Sequence, residues 1–233
     1  MSGNEFSFGF EFTARDGMTP IASGDFTNIA TNNAADGVYT INGSTVSIGD
    51  IIDLDNANTV FDPAQDIDEG GIKTRFNIGP GTYTDRTLAI NTPLLTQLLT
   101  DGFTITIDLY ANANIAVSMY AADDGFNFQS GGGTSNDGPS HRTKVSDKNF
   151  NEVLDDTIYP PLGQSSRLAI VVASDHVSAS LNGSPAITVA GPGLDPSMAE
   201  IILNLSGSAD ERMRSFAFYD VVADADLPAL SAL

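Results

Sequence analysis

The chain has 233 residues, 41% of them hydrophobic, enough to bury a substantial core. Thirty acidic residues stand against ten basic ones, for a net charge of −20 spread along the chain rather than gathered in a tail. Such a surface repels phosphate backbones and anionic lipid, which excludes nucleic-acid and membrane-surface partners, and the absence of cysteine excludes disulfides and thiolate metal sites. No run approaches the roughly eighteen consecutive apolar residues of a membrane-spanning helix. Met1-Ser2-Gly3-Asn4-Glu5 shows no basic region leading into an apolar one, so cytoplasmic synthesis without a signal peptide is expected.

In chain order, Phe6, Phe8, Phe10 and Phe12 alternate with small or polar residues. That is a period-2 strand with one apolar face, and over residues 1–20 it reads as a first strand or an assembly arm. Val38 to Ile41, Asn42-Gly43 and Thr45 to Ile48 predict a hairpin, because Asn-Gly supplies the two positive φ angles of a tight turn. Thr92-Pro93 opens a short helix with Leu94, Leu95, Leu98 and Leu99 as its apolar stripe, and Asp101-Gly102 stops it. Phe103 to Tyr110 alternates cleanly, and Ile115 to Tyr120 is placed as its pairing partner. Ser130 to Ser140, with Gly131-Gly132-Gly133, reads as an exposed loop. Leu168 to Ala173 is continuously apolar, as in a strand buried on both faces; Val177 to Leu181 alternates up to Asn182-Gly183. Ile201 to Leu205 and Ser215 to Val222 are further strands, and Asp195-Pro196 and Asp224 each open a helical turn. Many short strands with one to three short helices predict an all-β antiparallel sandwich. The expected layout is one sandwich over residues 21–233, with a sub-boundary near Arg86 as the alternative.

Arg167 to Val172 followed by Val177 to Gly183, Met213 to Asp220 followed by Ala225-Asp226-Leu227 and Leu230, and Leu88 to Ile90 followed by Phe103 to Ile105 occur in the order and spacing of a laminin G-like domain. Residues 87–233 thus resemble the concanavalin A-like jelly rolls found in phage virion proteins, lectins and some glycanases. The resemblance implies a jelly-roll fold, and fold alone does not choose among those functions.

No catalytic constellation stands out. Retaining glycanases of the resembled superfamily carry Glu-x-Asp-x-Glu on one strand, with the two carboxylates roughly 5 Å apart. The nearest run here, Asp66-Ile67-Asp68-Glu69, lacks that pattern. No Gly-x-Ser-x-Gly occurs; Ser140-His141 follows the glycine-rich stretch, and His176 reads as a turn residue between two strands. Asp53, Asp55 and Asn56 have the spacing of oxygen ligands to calcium, but Ala57, Asn58 and Ala64 break the EF-hand pattern. Calcium is therefore the one cofactor left open.

Two readings follow. The first is a non-enzymatic virion structural protein (a capsid decoration, head-fibre or tail-associated subunit), with Phe6, Phe8, Phe10 and Phe12 docking on other copies or other virion proteins. The alternative is a carbohydrate-binding module for surface glycans, contacting them through Tyr120, Asp123, Asp124, Phe126, Asn127 and Phe128, which mix aromatic and polar groups in one loop.

Overall fold

The computed structural model describes residues 18–29, 37–54, 71–73, 75–79, 82–110, 114–121, 128–135, 142–161, 163–195, 197–206 and 212–233. Its strands are β1 (Ala22–Asp25), β2 (Val38–Ile41), β3 (Ser44–Val46), β4 (Ile72–Lys73), β5 (Arg75–Gly79), β6 (Thr82–Ala89), β7 (Phe103–Tyr110), β8 (Asn114–Ala121), β9 (Phe128–Ser135), β10 (Arg142–Ser146), β11 (Glu152–Asp155), β12 (Ser165–Val172), β13 (His176–Leu181), β14 (Ile187–Ala190), β15 (Met198–Ser206) and β16 (Arg212–Tyr219). Two short helices join them, α1 (Thr92–Asp101) and α2 (Leu227–Ser231). None is long and apolar enough to cross a membrane, among the described residues.

Two antiparallel sheets form a jelly-roll sandwich. One runs β14-β13-β12-β7-β16-β1-β2-β3, with β4 pairing β16 as well; the other runs β11-β10-β9-β8-β15-β6-β5. The chain changes sheet between β4 and β5, between β6 and β7 through α1, and again after β7, β11, β14 and β15. Inward residues of β7 (Phe103, Ile105, Ile107, Leu109), β12 (Leu168, Ile170, Val172) and β16 (Phe216, Phe218) pack in one core with Ile115, Val117 and Met119 of β8 and Ile201 and Leu203 of β15. Their period-2 spacing produces this layer, because alternate side chains on a strand share a face. Within it an aromatic chain runs Tyr39–Phe26–Phe216–Phe218–Phe103, with successive ring centroids 5.8, 6.1, 5.9 and 5.6 Å apart. Gly24 leaves room for it: a Cβ there would lie 2.6 Å from the Phe216 ring.

Several local expectations hold. Asn42 (φ 48°) and Gly43 (φ 76°) turn β2 into β3, and Asn182 and Gly183 repeat the positive-φ pair after β13. The first helix forms where Pro93 places it, although its N-cap is Asn91, whose side-chain amide donates to the Gly49 carbonyl.

Two expectations fail. Ile115 to Tyr120 does not pair with Phe103 to Tyr110; β8 lies in the opposite sheet between β9 and β15, while β7 is flanked by β12 and β16. Strand patterning fixes which residues face inward but not which sheet a strand joins. The Gly131-Gly132-Gly133 run is likewise no exposed loop. It lies in β9, buried between β8 and β10. A Cβ on Gly131 (φ 142°) would come within 1.9 Å of the Val117 carbonyl oxygen, and one on Gly132 would meet Ile170 at 3.2 Å. Glycine stands here because backbone and the facing sheet approach too closely for any side chain.

The outer face of the larger sheet is partly apolar and covered. Leu227 and Leu230 of α2 pack on Ala169, Val171 and Ala173. The Ser231 hydroxyl reaches Ser180 Oγ at 2.7 Å and accepts from the Gly183 N–H at 2.9 Å. At the far end of the smaller sheet, the turn from β10 to β11 is built around Asp147, which is fully buried. Its carboxylate accepts from the Asn149 and Asn151 N–H groups and from the Asn151 amide. The neighbouring Lys148 ammonium pairs with Asp195 at 2.9 Å.

Truncating Phe216 to alanine should cost about 3–5 kcal/mol and Gly24→Ala about 1–3 kcal/mol, both read as shifts in urea midpoint at constant slope. The Lys148 hydrogen bond, then the Ser197 N–H and hydroxyl, hold the Asp195 carboxyl down from 3.8 to about 2. Folding depresses this pKa, so its contribution is complete above pH about 4 and is lost as pH falls toward 2. Solvent screening limits it to about 1 kcal/mol. The gap in urea midpoint between the native protein and Asp195→Asn should therefore narrow steadily from pH 5 to pH 2.5.

Candidate functional site

Most residues singled out from the sequence fall outside the described part of the chain. Phe6, Phe8, Phe10, Phe12, Asp55, Asn56, Asp123, Asp124, Phe126 and Asn127 all lie there, as do Asp66, Asp68, Glu69 and the Ser140-His141 pair. Tyr120 and Phe128 are placed by their backbones, directly opposite one another where β8 pairs with β9. Asp53 is exposed, and its N–H donates to the Ala89 carbonyl at 2.9 Å. No group of three metal-ligating side chains occurs among the described residues.

His176 has a structural setting. Its Nδ1 lies 2.7 Å from Asp175 Oδ1, and its Nε2 lies 3.1 Å from Asp224 Oδ1 without hydrogen-bonding alignment. The other Asp224 oxygen accepts from Thr188 Oγ1 at 2.9 Å, and Thr188 meets Ser178 Oγ at 2.8 Å. The imidazole thus links the β12–β13 turn and β14 to the segment leading into α2. With both ring nitrogens set against carboxylates and no free hydroxyl beside it, it lacks the hydroxyl contact a general base needs.

The feature with binding geometry sits on the larger sheet, where the C-terminal end of β7 meets the N-terminal ends of β12 and β16. A cavity of about 240 Å³ opens there, lined by Asp108, Ser165, Ser166, Arg167, Arg214 and Leu233 among others. Asp108 projects from the outer face of β7, between Arg167 of β12 and Ser215 of β16 in register. Arg167 grips it with two parallel bonds, Nε to Oδ1 at 2.5 Å and Nη2 to Oδ2 at 2.7 Å; Ser215 Oγ donates to Oδ2 at 2.9 Å. The paired carboxylate raises the Arg167 pKa further above its usual value, burial acting in the opposite direction.

Arg214 is placed differently. The register of β16 against β7 slips between Met213 and Ser215, so Arg214 is the extra residue of a bulge and is turned out of the regular alternation. Its guanidinium carbon lies 4.7 Å from the centre of the Tyr110 ring, and its Nη1 donates to Ser165 Oγ at 3.0 Å. The cavity therefore combines one guanidinium locked to a carboxylate, one resting on an aromatic ring, and serine hydroxyls.

Sequence reading passed over these residues as functional groups, quoting Arg167 and Arg214 only as landmarks of the fold. One signal was available. Charged residues inside an otherwise apolar strand, as in Arg212-Met213-Arg214-Ser215-Phe216, need a partner or a task, because burying an unpaired charge is costly.

No protein-family model matches this sequence, and no curated protein matches it. Among solved structures it is similar to the CBM40 domain of the Ruminococcus gnavus IT-sialidase bound to alpha2,3 sialyllactose. That match has 13% identity and a TM-score of 0.43, over 57% of this chain and 83% of that one. It is also similar to the binding domain of botulinum neurotoxin DC in complex with rat synaptotagmin II (13%, TM-score 0.41), covering 69% of this chain and 44% of that one. A third is a tetrameric galectin from the ball sponge Cinachyrella (14%, TM-score 0.39), over 51% and 92%. At these scores the likenesses carry nothing about ligands.

Replacing Asp108 with Asn should destabilise the fold by about 2–3 kcal/mol, because Arg167 keeps its charge and loses its counter-ion. The double variant Asp108→Asn with Arg167→Met should recover most of that loss. Additive losses in urea unfolding would mean that the two side chains do not act as a pair.

Proposed function

We propose that the protein is a non-enzymatic binding module and that a saccharide occupies the cavity at the rim of β7, β12 and β16. The observation that carries this is the state of the cavity's polar groups. Among the described lining residues Asp108 is the one acidic side chain, and that group already accepts from Arg167 and Ser215. A glycanase needs a second carboxylate across the scissile bond, and the described lining residues offer no second acidic side chain. What the lining does offer is directional hydrogen bonding: Ser165, Ser166 and a guanidinium oriented by an aromatic ring. Ligand sites ordinarily set a few fixed polar groups of this kind in a concavity, and hydroxyl-rich ligands match them.

Assignment to a virion remains a proposal of the sequence alone. Its candidate assembly strand, Phe6 to Phe12, lies outside the described residues, and among the described residues no observation favours it. The two readings are compatible, since an attachment protein can bind glycans through such a domain.

A broad glycan array followed by calorimetry on the hits tests the proposal. Binding is expected to fall tenfold or more in Arg214→Gln, and to be unchanged in Asp53→Ala and on adding a calcium chelator. An array with no hits at all would sink the saccharide reading.

A further inference from the structure

Building on that saccharide reading, we infer that the ligand carries an oxyanion, a carboxylate or a sulfate, that Arg214, which lines the cavity, contacts it, and that Arg212, buried beside Arg214 and outside the lining, supports it through its charge.

Arg167 is neutralised in place by the bidentate Asp108 pair. Arg214 has no carboxylate partner among the described residues; its contacts are a hydroxyl and an aromatic face. Its Nε is buried without a hydrogen-bond partner. Two residues earlier on β16, Arg212 is only 4% exposed, and its Nε and Nη1 are also buried without partners. Among the described residues, three buried guanidinium N–H groups on one strand therefore lack acceptors. An isolated case is a tolerated imperfection, but three on neighbouring side chains describe a missing acceptor, because buried donors are almost always satisfied.

The backbone explains why the two arginines come together. Arg212 pairs with Tyr110 and Ser215 with Asp108, so the bulge places Arg214 between two outward-facing positions. Gly71, at φ 106°, closes over this stretch; a Cβ on it would lie 3.3 Å from both Arg212 Cβ and Arg214 Cγ, and 2.8 Å from the Met213 carbonyl. Only glycine allows that approach, and it packs the stems of the two arginines side by side.

The charge pattern agrees. Four of the chain's ten basic residues, Lys73, Arg167, Arg212 and Arg214, gather at this end of one sheet, and Asp108 cancels one of them. Among the described residues this is a local excess of positive charge on a molecule of net charge −20. Guanidinium groups match the planar carboxylate and the sulfate in geometry as well as charge, whereas a neutral hydroxyl would leave the charge uncompensated.

The test is calorimetry on the full chain with three oligosaccharides of one backbone: uronate-containing, carboxyl-reduced to the neutral form, and sulfated. Inorganic sulfate is examined separately by thermal melting. A charged form is expected to bind at least tenfold more tightly than the neutral one, and the uronate and sulfate arms distinguish the two oxyanions. Arg214→Gln and Arg212→Met should each remove that preference. Arg212→Met should hold or raise the urea midpoint, because it deletes a buried unpaired charge, so its binding loss is not a folding loss. Equal affinity for neutral and charged forms, or a preference unchanged in both variants, overturns the inference while leaving the saccharide reading intact. If no oligosaccharide binds but sulfate raises the melting temperature of the native protein and not of Arg212→Met, the oxyanion site stands and the saccharide reading falls.

Discussion

A carboxylate on the outer face of β7 holds the middle of the larger sheet together. Asp108 takes two bonds from Arg167 on one side and one from Ser215 on the other, so a single side chain clamps three adjacent strands that are far apart in sequence. Backbone ladders alone would align those strands, but they would not fix the side chains at their ends. Among the described lining residues, the clamp consumes the one acidic side chain and one of the two guanidiniums. Asp108 is already occupied, so Arg214 has no carboxylate counter-ion among the described residues, and the binding character proposed for the site depends on that division.

Both faces of the larger sheet are in use, and this orders the rest of the molecule. Its inner face packs the sandwich core, whereas the outer face carries α2 over Ala169 and Val171 at one end and the polar cavity at the other. The helix is fastened by Ser231 to Ser180 and Gly183, and the segment before it by Asp224 to Thr188 and by the Val222 N–H to Thr104. The polar residues on this outer face are thus mostly engaged in fastening a covering element, which leaves the cavity as the place where unsatisfied groups collect.

The local grammar of the chain was legible because it rests on short-range physics. The Asn42-Gly43 and Asn182-Gly183 turns, the Pro93 helix start and the alternation through Phe103 to Leu109 each depend on a few neighbouring residues. The triple glycine misled because its cause is remote: Val117 and Ile170 leave no room at Gly131 and Gly132, and neither neighbour is near in sequence. The cavity was hidden for the same reason. Residues 108, 165–167 and 214 meet only through sheet order, and the outward turn of Arg214 comes from a one-residue slip that alternation cannot foresee. The acidic and aromatic loop residues singled out from the sequence, Asp123 to Asn127, lie outside the described residues.

The pairing of β1 with β16 has a consequence for how the protein is made. Ala22 lies opposite Phe218, so one of the earliest strands waits for a partner almost two hundred residues downstream. At about 5–20 residues per second, a ribosome needs roughly ten to forty seconds to supply it. During that interval β1, β2 and β3 can form only a three-stranded meander whose β1 edge is unpaired, and Phe26 lacks the Phe216 ring it rests against. Completion of the larger sheet must wait until β16 has been made. The abundance of aspartate would then serve the nascent chain as well as the folded one, since like charges keep exposed edges of neighbouring chains apart while they wait.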